Sequence, residues 1–377
     1  MELWIAYLIF YSVFTLFSLW YDYCIVLVQD ISTKKHRKYP ARVSIIIPTY
    51  KEEKAIIART IREACKINAE VIVIDDGSGS NEVEFLKSLP YKFTLYHYEK
   101  NMGKRYAQSI GFLNAKSEIV ITLDSDTLIT QESVDNILKP FHNKRIAAVT
   151  GNAKVANKNK NLLTRMIAAR YWNAFNFERY RQSFFGLVTC CTGVFSAYRK
   201  DIVIPLIKAY NNQVFMGKKQ TWGDDRALTT MLLRNHEVVY CKDALAYTHV
   251  PEKFGKFVKQ QIRWKKSFIR ESYLSLSFMF KRSGILSYDV LYTSLMPYLS
   301  LLVRISMILF IIVHPPLILW FIGVIVLMAF LRSYYMFMEE GMDAVNNISY
   351  AFVHELVIYW LYFYALLTLN DTRWGTR

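Results

Sequence analysis

The chain has 377 residues, room for one large domain and a smaller unit. Lysine and arginine total 47 against 31 aspartates and glutamates, a formal net charge of +16. That balance suits an anionic membrane face or a phosphorylated substrate, and the lack of any RNA- or DNA-binding motif sets nucleic acid aside. The five cysteines (Cys24, Cys65, Cys190, Cys191, Cys241) form no C-x-x-C pair. A disulfide framework has no support, a zinc site is disfavoured, and a reduced cytosolic setting fits the middle of the chain.

Residues 3–21 are apolar and uncharged, long enough to span a bilayer. A cleavable signal needs a basic start and a small-residue cleavage site. Here Glu2 opens the segment and Trp20-Tyr21-Asp22-Tyr23 closes it, so a retained helix is expected. The flank Lys34-Lys35-His36-Arg37-Lys38 holds the following domain in the cytosol and puts the N-terminus outside.

Residues 43–250 alternate between strand and helix patterns. Three short β-branched runs, 43–47, 71–74 and 119–123, have the character of parallel strands buried on both faces. They stop at Pro48-Thr49-Tyr50-Lys51-Glu52, Asp75-Asp76-Gly77-Ser78 and Asp124-Ser125-Asp126. Sites in open α/β sheets lie beyond the carboxyl ends of such strands, so carboxylates gather at one edge. Their mutual repulsion calls for a cation, most simply a divalent metal. A helix is expected over 55–67 and a strand over 92–96. A helix opening at 101–105 brings Lys104 and Arg105 to a phosphate-friendly N-terminus. A strand over 145–151, an Arg- and aromatic-rich helix over 162–182 and a strand over 188–193 follow. A further helix begins at Trp222-Gly223-Asp224-Asp225-Arg226, with acids in its first turn.

The C-terminal third is different. Residues 254–280 alternate apolar and basic side chains with helical spacing, a pattern for the membrane surface. Residues 291–313 and 317–331 form a membrane hairpin around His314-Pro315-Pro316, and Arg304 is expected to face protein or a polar channel. Residues 348–369 are apolar but carry His354 and Glu355.

Asp75-Asp76, Asp124-Ser125-Asp126, Gly223-Asp224-Asp225-Arg226 and Gln260-Gln261-Ile262-Arg263-Trp264 together resemble the motifs of processive, membrane-embedded family 2 glycosyltransferases. The group includes hyaluronan, chitin and cellulose synthases. The stretches 170–179, 182–186 and 260–271 and the terminal Trp374-Gly375-Thr376-Arg377 resemble hyaluronan synthases in particular. The resemblance implies an α/β, GT-A type (Rossmann-like) domain with transmembrane and interfacial helices. The expected division is an N-terminal transmembrane helix (1–30), a cytosolic glycosyltransferase domain (40–250) and amphipathic interface helices (251–284). A transmembrane or re-entrant region (285–370) and a gating tail (371–377) complete it.

The same resemblance implies roles. Tyr50, Glu52 and Asp76 would hold the nucleotide, with Lys104, Ser125 and Arg263 around the diphosphate. Asp124 and Asp126 match the D-x-D pair that binds Mg2+ or Mn2+. Asp225 matches the general base of an inverting transfer. Gln260 and Trp264, with Cys191, Thr192 and Gly193, would meet the acceptor sugar. Trp374 and Arg377 resemble a loop that closes over UDP. The implied substrates are UDP-GlcNAc and UDP-GlcA on a growing polysaccharide at the plasma membrane, with membrane lipid and a possible second copy as partners. A chitin-type synthase using UDP-GlcNAc alone, or single-sugar transfer to a polyprenyl phosphate, is the alternative. Asp75 reads as a turn residue, Asp224 as a helix cap, and Glu53, Lys265 and Lys266 as surface charges. For the tail to reach cytosolic UDP, 348–369 must be re-entrant or interfacial, leaving three full spans. Where hyaluronan synthases usually have Gly-Pro, this chain has Thr192-Gly193-Val194.

Overall fold

The computed structural model describes residues 3–32, 39–281 and 284–371. Trp374 and Arg377 lie outside the described residues.

Eight strands form one mixed sheet. They are β1 (Val43–Thr49), β2 (Glu70–Asp75), β3 (Thr94–His97), β4 (Ile119–Leu123), β5 (Leu128–Ile129), β6 (Ile146–Val155), β7 (Phe195–Arg199) and β8 (Glu237–Thr248), in the order β3-β2-β1-β4-β7-β6-β8-β5. The β3-β2-β1-β4 half is parallel, as expected, while β7 runs antiparallel to both neighbours. Ile45, Ile46 and Ile47 are fully buried, because helices cover both faces of the central strands. Burying each such side chain stabilises the fold by roughly 1.5–3 kcal/mol.

The strand expected over 188–193 is absent; β7 begins only at Phe195. Side chains have taken the backbone groups a strand would have used. Gln182 Oε1 accepts from Thr189 N at 3.1 Å, Thr229 Oγ1 from Cys191 N at 2.9 Å, and Thr150 Oγ1 from Thr192 N at 3.2 Å. Such local competition favours a loop.

The aromatic-rich helix is continuous from Leu162 to Phe184 but contains a π-helical turn, Ala174–Arg179. A capping box at Asn161 and Thr164 starts it. The amphipathic helix spans Phe254–Met279. Lys265 and Lys266 on it are 8% and 7% exposed, so they are not surface charges. Lys265 Nζ stands 3.7 Å from the Tyr362 ring centre, and burial pulls its ammonium down to about 7.

Two helices are long and apolar enough to cross a membrane by length and composition, within 291–313 and 317–367. Arg304 is satisfied as expected: Nε and Nη2 donate to Glu355 at 2.5 and 2.8 Å. A seam of polar contacts ties these helices to the sheet domain. Trp172 Nε1 and Lys242 Nζ donate to Glu339 at 3.2 and 2.6 Å, and Lys158 Nζ to Asp343 at 2.7 Å.

Candidate active site

The carboxyl ends of β1, β2 and β4 and the first turn of the helix Asp224–Leu232 converge on one edge of the sheet. Lys104, the first residue of the helix Lys104–Asn114, sits at the centre. Its Nζ is 2.5 Å from Asp124 Oδ1 and 3.5 Å from Asp224 Oδ2. Burial works against this ammonium, but Asp124, Asp224 and Asp225 together hold its proton well above the usual lysine range. Gly193 forms the floor. A Cβ there would stand 2.6 Å from Lys104 Nζ, 2.9 Å from Asp225 Oδ1 and 3.0 Å from Asp124 Oδ1. Only glycine leaves the three groups room to meet.

The two adjacent aspartates diverge. Burial first, then the Asp224 and Asp124 charges, push Asp225 well above the carboxylate range. Burial would raise Asp224 too, but the Lys104 and Arg105 charges and the hydrogen bonds to its carboxylate together outweigh it and hold Asp224 low. Asp224 is therefore an ionic partner inside the site, more than a helix cap. Asp126 is pushed up to about 6 by burial and by the facing charges of Asp124 and Glu52, despite a hydrogen bond from Thr248 Oγ1 at 3.2 Å. Glu52 is fixed in place by Ser125 Oγ, which donates to it at 2.6 Å.

Asp76 is spent on the backbone: its two oxygens accept from Met102 N and Gly103 N, both at 2.8 Å. That locks the turn that launches Lys104. Asp75 accepts from Ser78 N at 3.2 Å, as expected of a turn residue. Tyr50 lies at the same edge, its ring 5.5 Å below Lys51 Nζ.

On the amphipathic helix, Gln260, Arg263 and Trp264 share one face by their spacing. Trp264 is 40% exposed and its ring lies 6.4 Å from that of Tyr171. Gln260 Oε1 is buried without a hydrogen-bond partner. Thr192 hydrogen-bonds Thr150 beside the Gly193 floor. Cys191, expected to meet the acceptor, has no exposed surface and packs in the core. Its amide is tied to Thr229, which turns the thiol away; the half-buried Cys190 is the open neighbour.

Two guanidiniums hold the Trp222–Gly223 turn, which launches Asp224 and Asp225, from behind. Arg270, with no exposed side-chain surface, donates to Trp222 O at 3.2 Å, Gly223 O at 3.4 Å and Gln220 Oε1 at 3.0 Å. Arg105 Nη2 reaches the same Trp222 oxygen at 3.2 Å. Arg105, expected beside Lys104 at a phosphate site, is instead buried and spent on Tyr210 O, Gln213 Oε1 and Trp222 O, and Arg270 was readable only as a basic residue. Tyr171 and Arg179 stand in the Arg- and aromatic-rich stretch 170–179 and Arg226 beside the acidic pair, all singled out in the sequence but given no role there.

A sheet of this order with acids at the strand ends defines a GT-A type, Rossmann-like glycosyltransferase domain. Residues 44–206 match the model for glycosyl transferase family 2. A hyaluronan synthase of Streptococcus pyogenes is 30% identical over 361 residues, which span 91% of this chain and 85% of the relative. An N-acetylglucosaminyltransferase of Neorhizobium galegae is 29% identical, over 89% of this chain and 80% of its own length. The chain belongs to the family 2 glycosyltransferases. A mannosyltransferase of Pyrobaculum calidifontis, solved in complex with GDP-Man and Mn2+, superposes with a TM-score of 0.61 at 15% identity, covering 92% of this chain and 99% of that one. That likeness is one of fold.

Proposed function

We propose that this protein is a processive membrane β-glycosyltransferase that builds hyaluronan from UDP-GlcNAc and UDP-GlcA. The observation that carries this reading is the meeting of Lys104, Asp124 and Asp225 over the Gly193 floor, beside the exposed Trp264 ring. A donor diphosphate belongs on the Lys104 side, where the helix N-terminus adds its dipole. An acceptor sugar belongs on the Trp264 face.

Asp225 takes the proton from an acceptor hydroxyl as that oxygen attacks the anomeric carbon. The anomeric carbon–oxygen bond to the diphosphate breaks and UDP departs. One displacement inverts the centre, so an α-linked donor gives a β-linked product. The raised proton affinity of Asp225 makes it a competent base once ionised. Lys104 supplies a fixed positive charge where charge develops on the leaving group. Tyr50, Glu52 and Asp76 border the nucleotide, and Arg263 offers a guanidinium fork for phosphate oxygens.

The residues present fit a divalent cation, Mg2+ or Mn2+. Asp126 is a half-buried carboxylate that faces the charges of Asp124 and Glu52, the state that a hard cation relieves. Among the described residues, no group of three or more acidic, His or Cys side chains is arranged to hold a metal ion by itself. Asp126 and Asp124 would therefore share the ion with the diphosphate and water. When bound, such a cation neutralises the departing diphosphate.

The domain sits on the cytosolic face of the plasma membrane in this reading, with three full spans, a re-entrant or interfacial last segment, and the tail of Trp374 and Arg377 reaching over UDP. A second copy would help enclose a polymer path. The Neorhizobium relative favours a second reading, a chitin-type synthase that uses UDP-GlcNAc alone. Incubating membranes with each labelled donor separates the two. Polymer formed only when both donors are present supports hyaluronan; polymer from UDP-GlcNAc alone overturns it.

A further inference from the structure

We infer that the guanidiniums of Arg179 and Arg226, flanking Cys190 beside Asp225, form a subsite for the carboxylate of a uronic-acid residue in the acceptor glycan. The inference rests on the glycan-polymerase reading above.

Arg226 follows the base in sequence. Its Cζ lies 5.2 Å from the Phe268 ring centre, and Nη1 stands 3.5 Å from Thr189 Oγ1. Arg179 closes the π-helical turn, a local distortion that often marks functional positions. It stacks 4.2 Å over Phe175 and donates from Nη1 to Ala174 O at 3.3 Å, while its Nε is buried with no hydrogen-bond partner. Glu178, the acid next to it, is engaged by Arg170 at 2.8 Å. Among the described residues, no carboxylate pairs with either Arg179 or Arg226. Phe268 lies one helical turn beyond Trp264, and the Phe175 ring is 6.2 Å from that of Tyr171, itself 6.4 Å from Trp264, so the two guanidiniums stack on one aromatic wall, and both charges reach the Cys190 thiol.

That region faces the acceptor. Asp225 must touch the attacking hydroxyl, and the Tyr171–Trp264 pair forms the neighbouring wall. Half-buried positive charge without a counter-charge is costly unless a ligand supplies it. A planar guanidinium matches a carboxylate with two parallel hydrogen bonds. A neutral GlcNAc chain offers no such group and would leave both arginines unpaired.

The test measures binding of a hyaluronan tetrasaccharide and of chitotetraose to the full-length protein in nanodiscs by calorimetry. The wild type is expected to prefer the uronate-bearing ligand by about ten-fold or more, as charge-assisted bidentate pairs do. Arg226→Gln and Arg179→Gln are expected to bring that ratio toward one, and Arg226→Lys, which keeps charge but loses the fork, to an intermediate value. Raising salt should shrink the wild-type ratio. No preference in the wild type, or an unchanged ratio in both Gln variants, overturns the subsite. So does loss of both ligands in Arg226→Gln and Arg226→Lys alike. Donor use is read separately. A protein that prefers the uronate ligand but polymerises UDP-GlcNAc alone keeps the subsite and defeats the hyaluronan reading; one that needs both donors but shows no preference does the reverse.

Discussion

The ammonium of Lys104 stands 2.5 Å from the carboxylate of Asp124. The first acid of the D-x-D pair is thus partly neutralised by the protein, while Asp126, two residues on, accepts from the Thr127 and Thr248 hydroxyls and feels the Asp124 and Glu52 charges more strongly than that of Lys104. Lys104→Met should lower turnover by about 10²-fold, the usual loss when one fixed charge is taken from a developing anion. It should also weaken UDP binding. Steady-state kinetics with calorimetry of UDP checks both; retained turnover would remove Lys104 from the donor site.

Asp126 titrates near 6 in the bare pocket, and a metal needs it ionised. Mn2+ affinity in the presence of UDP should therefore fall as pH drops through about 6. Asp126→Asn should weaken Mn2+ by more than the ~10-fold typical of a lost outer-shell partner. Electron paramagnetic resonance of free Mn2+ reads this without turnover.

Asp225 must be ionised to act as a base, so turnover is lost as pH falls through its raised pKa. Asp224 is one of the charges that raises it. Asp224→Asn should then shift the acid limb of the kcat profile to lower pH, whereas Lys104→Met, which removes a cation, should shift it upward. Asp225→Asn should cost about 10²–10⁴ in kcat, the usual contribution of a positioned base, while UDP still binds. An unchanged acid limb in Asp224→Asn would argue against this coupling.

Gly193→Ala inserts a methyl among Lys104, Asp124 and Asp225, within 3.0 Å of all three. The backbone there needs no glycine-only angle. The variant should melt close to wild type yet lose most turnover. Thermal unfolding beside a transfer assay separates those effects, and full activity would mean the three groups need not meet.

Arg304 and Glu355 pair within the apolar region, 14% and 12% exposed. Arg304→Met alone strands a buried charge and should cost about 3–5 kcal/mol, most of it recovered when Glu355→Gln is added. Unfolding in detergent measures the cycle. Equal loss in single and double variants would show that the pair does not couple these segments.

Much of this was readable from residue order. Runs such as 43–47 and 119–123 are rich in β-branched residues and almost wholly apolar, the pattern of strands buried on both faces, and acids that follow such strands lie at the sheet edge. Arg304 within an apolar segment announced a partner. What residue order could not show was which side chains would intercept backbone groups across the fold. Thr150, Gln182 and Thr229 turned 188–193 from strand into loop, and that loop aimed Cys191 inward and Gly193 at the reacting groups. Periodicity also counted Lys265 and Arg270 as polar positions, though packing against the last helices and the Trp222–Gly223 turn buries both. Local pattern determines which element a residue joins. Only the closing of distant elements around one another decides which charge ends beside which, because electrostatic and hydrogen-bond partners are chosen by distance in space and not along the chain.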